Sequence, residues 1–272
     1  ISFSLKNKSK LKYHTFIEIY GFHPDRAQAA IDRGVELFNK YPFIKGKNTC
    51  SISPHAPYSA SEVLLEKINK FSTENNLHIF SVHNQESGEE RVMFEQGKGK
   101  ILDRIKNFGI DISFWKFPGV SSLEWLINRI PNNSKVQLVH NTFTTKEDIA
   151  CAEEKNKNIY WCFCPKANLY IENTLPDILK FIDKKSTIGT DSLASNNELS
   201  MLEELKVIQH NFPSISLEKL LKWSTLNGAE FLGFSERLGS IEKGKTPGLN
   251  LIGNIDLVNS RLTSKSSVKV LA

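Results

Sequence analysis

The chain has 272 residues, of which 40% are hydrophobic and 24% are charged, and its formal net charge is +5 at pH 7. This composition is typical of a globular protein and excludes a disordered chain. No apolar run reaches the roughly 20 residues that a membrane helix needs, and the N-terminal residues lack the apolar core of a signal peptide. The lysines are scattered rather than gathered in a basic stripe, so we expect neither nucleic acid nor a membrane as a partner.

Cysteine usage agrees with a reducing compartment. The chain contains no C-x-x-C pair, and two of its cysteines are only two positions apart in one apolar run, which does not suggest a disulfide framework. We therefore expect a cytoplasmic protein. The four cysteines are Cys50, Cys151, Cys162 and Cys164.

Strand-like and helix-like stretches alternate along the chain. Six short apolar runs predict β-strands, over residues 14–22, 49–56, 78–84, 136–141, 159–165 and 186–192. Amphipathic or capped stretches predict helices, over residues 24–41, 61–76, 91–108, 121–130, 144–157, 198–211 and 217–232. Because the strands are near-continuous apolar runs, they are expected to be parallel and buried on both faces.

Repeated βα units of this kind predict a (β/α)8 TIM barrel of the α/β class, although only about six units can be counted. After residue 235 the chain becomes rich in glycine, proline and strand-like residues. We therefore expect a partial barrel domain over residues 1–235 and a small C-terminal β segment over residues 236–272.

Polar side chains follow the predicted strands at their carboxyl ends. His55 follows the second strand, His83 and Glu86 the third, His140 the fourth and Asp191 the sixth. In a parallel barrel these ends surround one mouth, so residues that are distant in sequence converge there. Asn168 follows the fifth strand, in what we expect to be a loop.

Imidazole and carboxylate groups are good ligands for Zn²⁺ or Fe²⁺. A bound metal lowers the pKa of water, and a nearby carboxylate such as Glu86 can then carry the proton to a leaving group. Each residue also has a plainer explanation, because a single histidine at a strand end is more often structural. Asp191 could be a helix N-cap, and the stretch around Glu86 could be a solvated turn. The joint occurrence at successive strand ends favours a metal-dependent site.

The sequence resembles the amidohydrolase superfamily, in particular the branch of chlorohydrolase-like proteins and nucleoside or purine deaminases. The matching motifs span nearly the whole chain in the family's order: "SISPHAPYSAS", "VHNQES", "LVHN", "CPKANLYIENTLPDI", "IGTDSLASNNELSMLEEL" and "LGSIEKGKTPGLNLI". The resemblance implies a metal-dependent hydrolase with its site in the barrel mouth.

By this resemblance, His83 is a metal ligand and Glu86 is the proton shuttle that also contacts substrate. Asp191 would bind the metal and accept a proton from water, and His140 would polarise water or the developing oxyanion. His55 and Asn168 would contact the substrate. Relatives with two metals bridge them by a carboxylated lysine at the strand that here reads "SPHAPYS". No lysine stands there, so we expect one divalent metal, with zinc favoured and iron as the alternative.

The family's first strand carries an H-x-H pair that supplies two metal ligands, and no H-x-H occurs in these 272 residues. His14 begins a predicted strand and His23 precedes a proline, so neither replaces the pair. Together with the low count of βα units and a first residue other than methionine, this leads us to expect the C-terminal portion of an amidohydrolase. A preceding segment would then close the barrel, and these residues alone would bind metal weakly.

The first hypothesis is hydrolytic deamination of a purine, nucleoside or related ring. Hydrolysis of a carbon–halogen or amide bond on the same scaffold is the alternative among enzymes. A barrel that has lost its metal and serves as a binding module is the alternative outside enzymes, and the absence of H-x-H supports it. A homodimer is the assembly expected from the resemblance, with a small molecule as the substrate.

Overall fold

The structure, a computed structural model, describes residues 3–40 and 48–272. The chain divides into two compact units, the first formed by Ile1–Leu138 and Phe143–Ile159 and the second by Val139–Thr142 and Tyr160–Ala272. Within the described residues, no helix is long and apolar enough to span a membrane. All four cysteines are free, as expected.

The first unit alternates strands and helices in the predicted order. Its elements are α1 (Phe3–Lys8), β1 (Tyr13–Ile19), α2 (Ala27–Lys40), β2 (Asn48–Pro54), α3 (Glu62–Glu74), β3 (Ile79–Asn84), α4 (Gly88–Gln96), α5 (Lys100–Asn107), α6 (Ser122–Ile127), most of β4 (Lys135–His140) and α7 (Lys146–Lys155). The predicted strands in this unit are confirmed.

Strand pairing in the first unit places the carboxyl ends of β1, β2 and β3 side by side. β1 and β2 pair in parallel, with Ile19 opposite Pro54, and β3 lies beside β4. The ladder continues past β2, because the His55 N–H donates to the Ile19 carbonyl oxygen at 3.0 Å. The His83 N–H in turn donates to the His55 carbonyl oxygen at 2.9 Å. The carboxyl ends of β1, β2 and β3 are therefore joined by backbone hydrogen bonds.

Helix α3 shows how the sequence pattern becomes core packing. Leu64, Leu65 and Ile68 are buried at helical spacing, whereas the neighbouring Val63 is 37% exposed. Residue 63 lies about 100° around the helix from residue 64, and this turns its side chain toward solvent. The N-cap is Ser61, whose hydroxyl oxygen accepts a hydrogen bond from the Leu64 N–H at 3.3 Å.

The single helix predicted over residues 91–108 is wrong, since the structure has two helices, α4 and α5. Gly97 ends α4 with φ of 67°, and Gly99 precedes α5 with φ of 106°. Both values lie in the region that favours glycine. A Cβ atom at position 97 would also overlap the Phe117 ring, so only glycine fits there.

The second unit contains the last strands of the barrel pattern and a C-terminal strand pair. Its elements are the end of β4, most of β5 (Ile159–Phe163), α8 (Pro165–Glu172), β6 (Ser186–Ile188), α9 (Met201–Asn211), α10 (Leu217–Ser224), α11 (Leu226–Phe231), β7 (Asn250–Gly253) and β8 (Ser267–Val270). β5 and β6 pair in parallel, whereas β7 and β8 pair antiparallel. The pair β7–β8 falls within the range predicted for the C-terminal β segment.

Two sequence expectations in the second unit need correction. Asn168 lies in α8 rather than in a loop, because Pro165 occupies the first turn, where its missing N–H costs nothing. The helix predicted over residues 217–232 is broken at Thr225, which has φ of −131° and ψ of −82° and separates α10 from α11.

Aromatic side chains of β5 pack against Phe181 in the core of the second unit. Trp161 and Phe163 are fully buried, and the Phe181 ring lies 5.0 Å and 5.1 Å from them, centroid to centroid. Packing of this density holds the carboxyl end of β5 in a fixed position.

Candidate metal and active site

Unusual backbone conformations mark the strand ends that carry the predicted site residues. Gln85, His140, Asn141 and Asp191 all have positive φ, at 44°, 77°, 58° and 57°. A side chain with a Cβ atom rarely adopts this region, and such residues cluster at functional sites. The sequence does not reveal this signal, because asparagine, aspartate and histidine are only enriched at positive φ and mostly adopt other conformations.

In the first unit, three potential metal ligands lie together: Glu18 in β1, His55 after β2 and His83 in β3. One ligand atom from each lies within 4.8 Å of the others. The two imidazole rings are 4.8 Å apart between centroids. The backbone hydrogen bonds at the ends of β1, β2 and β3 explain the convergence, because they fix the three positions side by side.

Hydrogen bonds of the two imidazoles define their tautomers. The Nδ1 atom of His83 lies 2.9 Å from the His55 carbonyl oxygen, which can only accept, so Nδ1 carries the proton. The Nδ1 atom of His55 lies 2.8 Å from the Ser59 hydroxyl oxygen, and that hydroxyl donates its own proton to the Ala56 carbonyl oxygen at 3.1 Å. His55 Nδ1 is therefore also a donor. In both rings the lone pair that can bind a metal is on Nε2.

Burial and charge keep the surrounding groups in the protonation states that a metal site needs. Burial, and then the neighbouring His83, lower the pKa of His55 to about 4, so its ring is neutral at neutral pH. The Tyr58 ring meets His55 edge-on at 5.7 Å between centroids. Burial, followed by the carboxylates of Glu90, Glu86 and Glu18, raises the pKa of Tyr58, which stays a hydroxyl donor.

Glu86 lies directly after β3 and is partly buried, one residue before Ser87, the N-cap of α4. Glu90, in the first turn of that helix, is buried, and burial raises its pKa to about 7. The Ser122 hydroxyl and the Gln85 N–H lie near the Glu90 carboxylate and partly offset the rise in its pKa. Their geometry falls short of a standard hydrogen bond to either carboxylate oxygen. Desolvation is the larger effect.

We expect the variant Glu90→Gln to be more stable than the wild type at pH 8 by roughly 1–3 kcal/mol, and little changed at pH 5. The folded state retains the Glu90 proton up to pH about 7, whereas the unfolded state loses it near the ordinary pKa. This group therefore lowers stability as pH rises between those values. Urea unfolding at the two pH values measures the effect, with Glu66→Gln at an exposed position as the control. Equal changes at both pH values would contradict the expectation.

In the second unit, the predicted residues lie at the carboxyl ends of β4 and β6 and in α8. His140 is the last residue of β4 and is 1% exposed, and Asn168 is fully buried. The Asn168 side-chain amide donates to the Thr142 hydroxyl oxygen, and the Asn141 amide donates to the Cys162 carbonyl oxygen at 3.0 Å. The turn after β4 is thereby tied to β5 and α8.

Asp191 follows β6 and accepts a hydrogen bond from the Ser195 hydroxyl. The loop that carries Asp191 is fixed by Glu204 in α9, a fully buried carboxylate. Glu204 accepts from the Asn196 amide at 2.7 Å and from the Lys166 N–H at 2.9 Å, at the N-terminus of α8. Burial raises the pKa of Glu204, although these donors oppose the rise.

The structure thus brings His55 and His83 together in the first unit, and places His140, Asn168 and Asp191 in the second. The catalytic and binding roles expected for these residues stay predictions. Sequence reasoning missed Glu18, Tyr58, Glu90 and Glu204. An acidic residue inside the apolar run "HTFIEIYGF" was the one available signal for Glu18.

The donor set tests whether these residues fit a metal. Two imidazoles and one carboxylate are a ligand combination found in catalytic zinc sites, and also in non-haem iron sites. Glu18 is exposed and the two histidines are partly buried, so solvent can reach the group. The residues fit a divalent cation of this kind.

Parallel strands that alternate with helices, and imidazoles with carboxylates at their carboxyl ends, define an α/β protein of the TIM-barrel type with a candidate metal site. Residues 14–270 match the amidohydrolase family, to which the chain belongs. The resemblance stated from the sequence motifs is therefore confirmed. The barrel-type fold is confirmed with it, whereas the number of βα units stays a prediction.

Several proteins that resemble this chain in sequence or in fold are deaminases. A 5-methylthioadenosine/S-adenosylhomocysteine deaminase of Teredinibacter turnerae is 27% identical over 93% of this chain and 55% of its own length. The crystal structure of Helicobacter pylori aminofutalosine deaminase in complex with methylthio-coformycin superposes with a TM-score of 0.80, at 24% identity, over 93% of this chain and 62% of that one. An adenosine deaminase from Xanthomonas campestris with bound zinc gives a TM-score of 0.68, at 22% identity, over 92% and 54%. The chain spans about half the length of the curated relatives it matches.

Proposed function

We propose that the protein is a metal-dependent hydrolytic deaminase of a nucleoside-like substrate with an adenine-type ring. The observation that carries this proposal is the group of Glu18, His55 and His83 at the strand ends of an amidohydrolase. The substrate class is supported by the relative from Teredinibacter turnerae, a 5-methylthioadenosine/S-adenosylhomocysteine deaminase.

We assign one divalent metal to the site, with zinc favoured and iron as the alternative. His83 is a proposed ligand, and Asp191 is the second ligand proposed from the sequence motifs. When bound, such a metal acidifies water, so that hydroxide becomes available near neutral pH.

The proposed chemistry consumes one water molecule: a C–O bond forms at a ring carbon, the bond from that carbon to its exocyclic amino nitrogen breaks, and ammonia is released. Asp191 accepts a proton from water, and Glu86 moves a proton to the leaving amine. His140 holds a hydrogen bond to water or to the developing oxyanion. His55 and Asn168 are each proposed to contact the substrate, and the Tyr58 ring packs against His55.

The domain bounds, the assembly, the cellular location and a further segment are proposed together with the activity. We propose a barrel domain over residues 1–235 and a β segment over residues 236–272, which the antiparallel pair β7–β8 supports. A homodimer, a cytoplasmic setting and a further segment carrying an H-x-H pair belong to the same proposal. The complete reading frame tests the last of these directly.

The test is an ammonia-release assay on the zinc-loaded protein expressed from its complete reading frame. We expect ammonia from 5'-methylthioadenosine, with the ultraviolet absorbance change of adenine converting to hypoxanthine. Guanine, a chlorotriazine and a simple amide serve as comparison substrates. Chloride released from the triazine without ammonia from any purine would support the chlorohydrolase alternative. Absence of bound zinc together with no product from any substrate would support a binding module.

A further inference from the structure

We propose that Gln85 and Asp148 form a positioning pair that fixes the direction of the Glu86 carboxylate. This inference rests on the proposed function, in which Glu86 moves protons. Gln85 stands between the end of β3 and Glu86, and Asp148 lies in the first turn of α7. Both members of the pair are buried, with exposed fractions of 2% and 5%.

The side chain of Gln85 is directed at Asp148. Its Nε2 atom donates a hydrogen bond to Asp148 Oδ2 at 3.1 Å. Its Oε1 atom is buried and has no hydrogen-bond partner within residues 3–40 and 48–272. Because a buried amide oxygen without a donor costs free energy, this side chain is not placed for stability alone.

The backbone of Gln85 has an unusual conformation. Its φ of 44° lies in the left-handed region, which a residue with a Cβ atom rarely adopts. Its carbonyl oxygen accepts a hydrogen bond from the Phe143 N–H at 3.0 Å. The peptide group that leads to Glu86 therefore has a fixed orientation. Strained residues that surrounding contacts hold in place cluster at functional sites.

Asp148 is a well-fixed acceptor. Its Oδ2 atom also accepts hydrogen bonds from the Thr145 N–H at 3.0 Å and from the Thr145 hydroxyl at 2.9 Å, in the capping box of α7. The Arg91 guanidinium in α4 donates to the same oxygen at 3.3 Å. Asp148 therefore contacts the chain on both sides of Glu86, through Gln85 before it and Arg91 after it.

The expected effect of the pair on the rate follows from this placement. Misplacement of a catalytic group by about 1 Å can lower a rate by about 100-fold. Without the bond to Asp148, the dihedral angles of Gln85 are less restricted, and the Glu86 carboxylate samples other directions. The pair therefore acts on proton transfer through Glu86, and loss of the pair should leave the metal content unchanged.

Steady-state kinetics of the zinc-loaded protein, expressed from its complete reading frame, test the pair. We expect Gln85→Met and Asp148→Leu, which remove one partner and keep its approximate size, each to lower kcat by about 10- to 100-fold. KM and zinc content should change by less than about twofold, because only the chemical step is affected. Asp148→Asn keeps an acceptor oxygen for the Gln85 amide and should retain most of the rate.

The Glu86→Gln background separates a positioning role from a general structural role. Because the pair acts through Glu86, adding Gln85→Met to Glu86→Gln should lower kcat by less than about twofold, a strongly non-additive result. An equal decrease in both backgrounds would overturn the proposal in favour of a structural role. Normal kcat in Gln85→Met would overturn it outright and leave the proposed function standing.

Two control variants match the changes made to the pair. Thr145→Val removes the capping hydroxyl of α7 and leaves both members of the pair, so we expect a lower urea midpoint with unchanged kcat. Gln28→Met removes an amide–carboxylate hydrogen bond of 2.8 Å to Asp32, at exposed positions, and should change neither quantity. Urea unfolding checks that every variant folds.

Absence of ammonia from the zinc-loaded wild type would reject the deaminase without deciding the role of Gln85. Crystal structures of the wild type and of Gln85→Met then decide that role. Displacement of the Glu86 carboxylate by about 1 Å or more would support positioning. Coincident Glu86 carboxylates in the two structures would overturn it.

Discussion

Replacement of His83 by asparagine should abolish stoichiometric zinc binding and lower kcat/KM for deamination by at least about three orders of magnitude. His83 belongs both to the ligand set proposed from the sequence and to the group formed in the structure with Glu18 and His55. Without a metal, water is not acidified near neutral pH, so the nucleophile is lost. The loss therefore falls on the chemical step, and excess substrate cannot restore it.

The matched control is His210→Asn, which removes an exposed imidazole from α9. We expect zinc content and kcat/KM to be unchanged in that variant. The measurements are elemental analysis after dialysis and initial rates of ammonia release. Full activity in His83→Asn, or full zinc content with activity lost, would contradict the assignment of His83 as a ligand.

The second large effect concerns Glu86. We expect Glu86→Gln to lower kcat by a factor of about 100 to 10,000 while zinc affinity and KM change little. Glutamine has the size of glutamate but cannot take a proton from water and hand it to an amine. In the pH profile of kcat, the limb that arises from ionisation of Glu86 should be absent in the variant. A structural defect would lower kcat without removing that limb.

Glu89→Gln provides a control from the same segment. The Glu89 carboxylate accepts a hydrogen bond from the Lys100 N–H at 2.9 Å, at the start of α5, so its loss affects helix stability rather than proton transfer. Unaltered kcat in that variant, beside a large decrease in Glu86→Gln, is the expected pattern. Zinc lost together with activity in Glu86→Gln would mean that Glu86 is a ligand or a structural support.

Sequence patterns predicted the strands well, because runs such as "IFSV" and "IYWCF" have no plausible place outside a buried sheet. They failed where a single residue decides the backbone. Gly97 and Gly99 divide a stretch that reads as one amphipathic helix, and Thr225 divides another. Periodicity cannot detect such breaks, because the apolar spacing continues through them.

The candidate site was predictable only in part. His55 and His83 stand out as histidines at strand ends, and their proximity follows from parallel pairing. Glu18 was missed because its one local signal, an acidic residue inside an apolar run, also fits an ordinary charged residue on an exposed strand face. Its partnership depends on the register of β1 with β2, which is set by contacts 35 residues apart in the chain. Glu204 was hidden for a similar reason, since its partners lie in other elements.

The carbonyl oxygen of residue 55 receives both the main-chain N–H and the ring N–H of His83. A ligand that moves the peptide group of His55 must therefore also move the His83 imidazole. Binding of a ligand at His55 and binding of a ligand at His83 are then energetically coupled. By thermodynamic reciprocity, each ligand changes the affinity for the other by the same factor. Under the proposed function, binding of the nucleoside is therefore expected to change the affinity for the cation, and binding of the cation the affinity for the nucleoside.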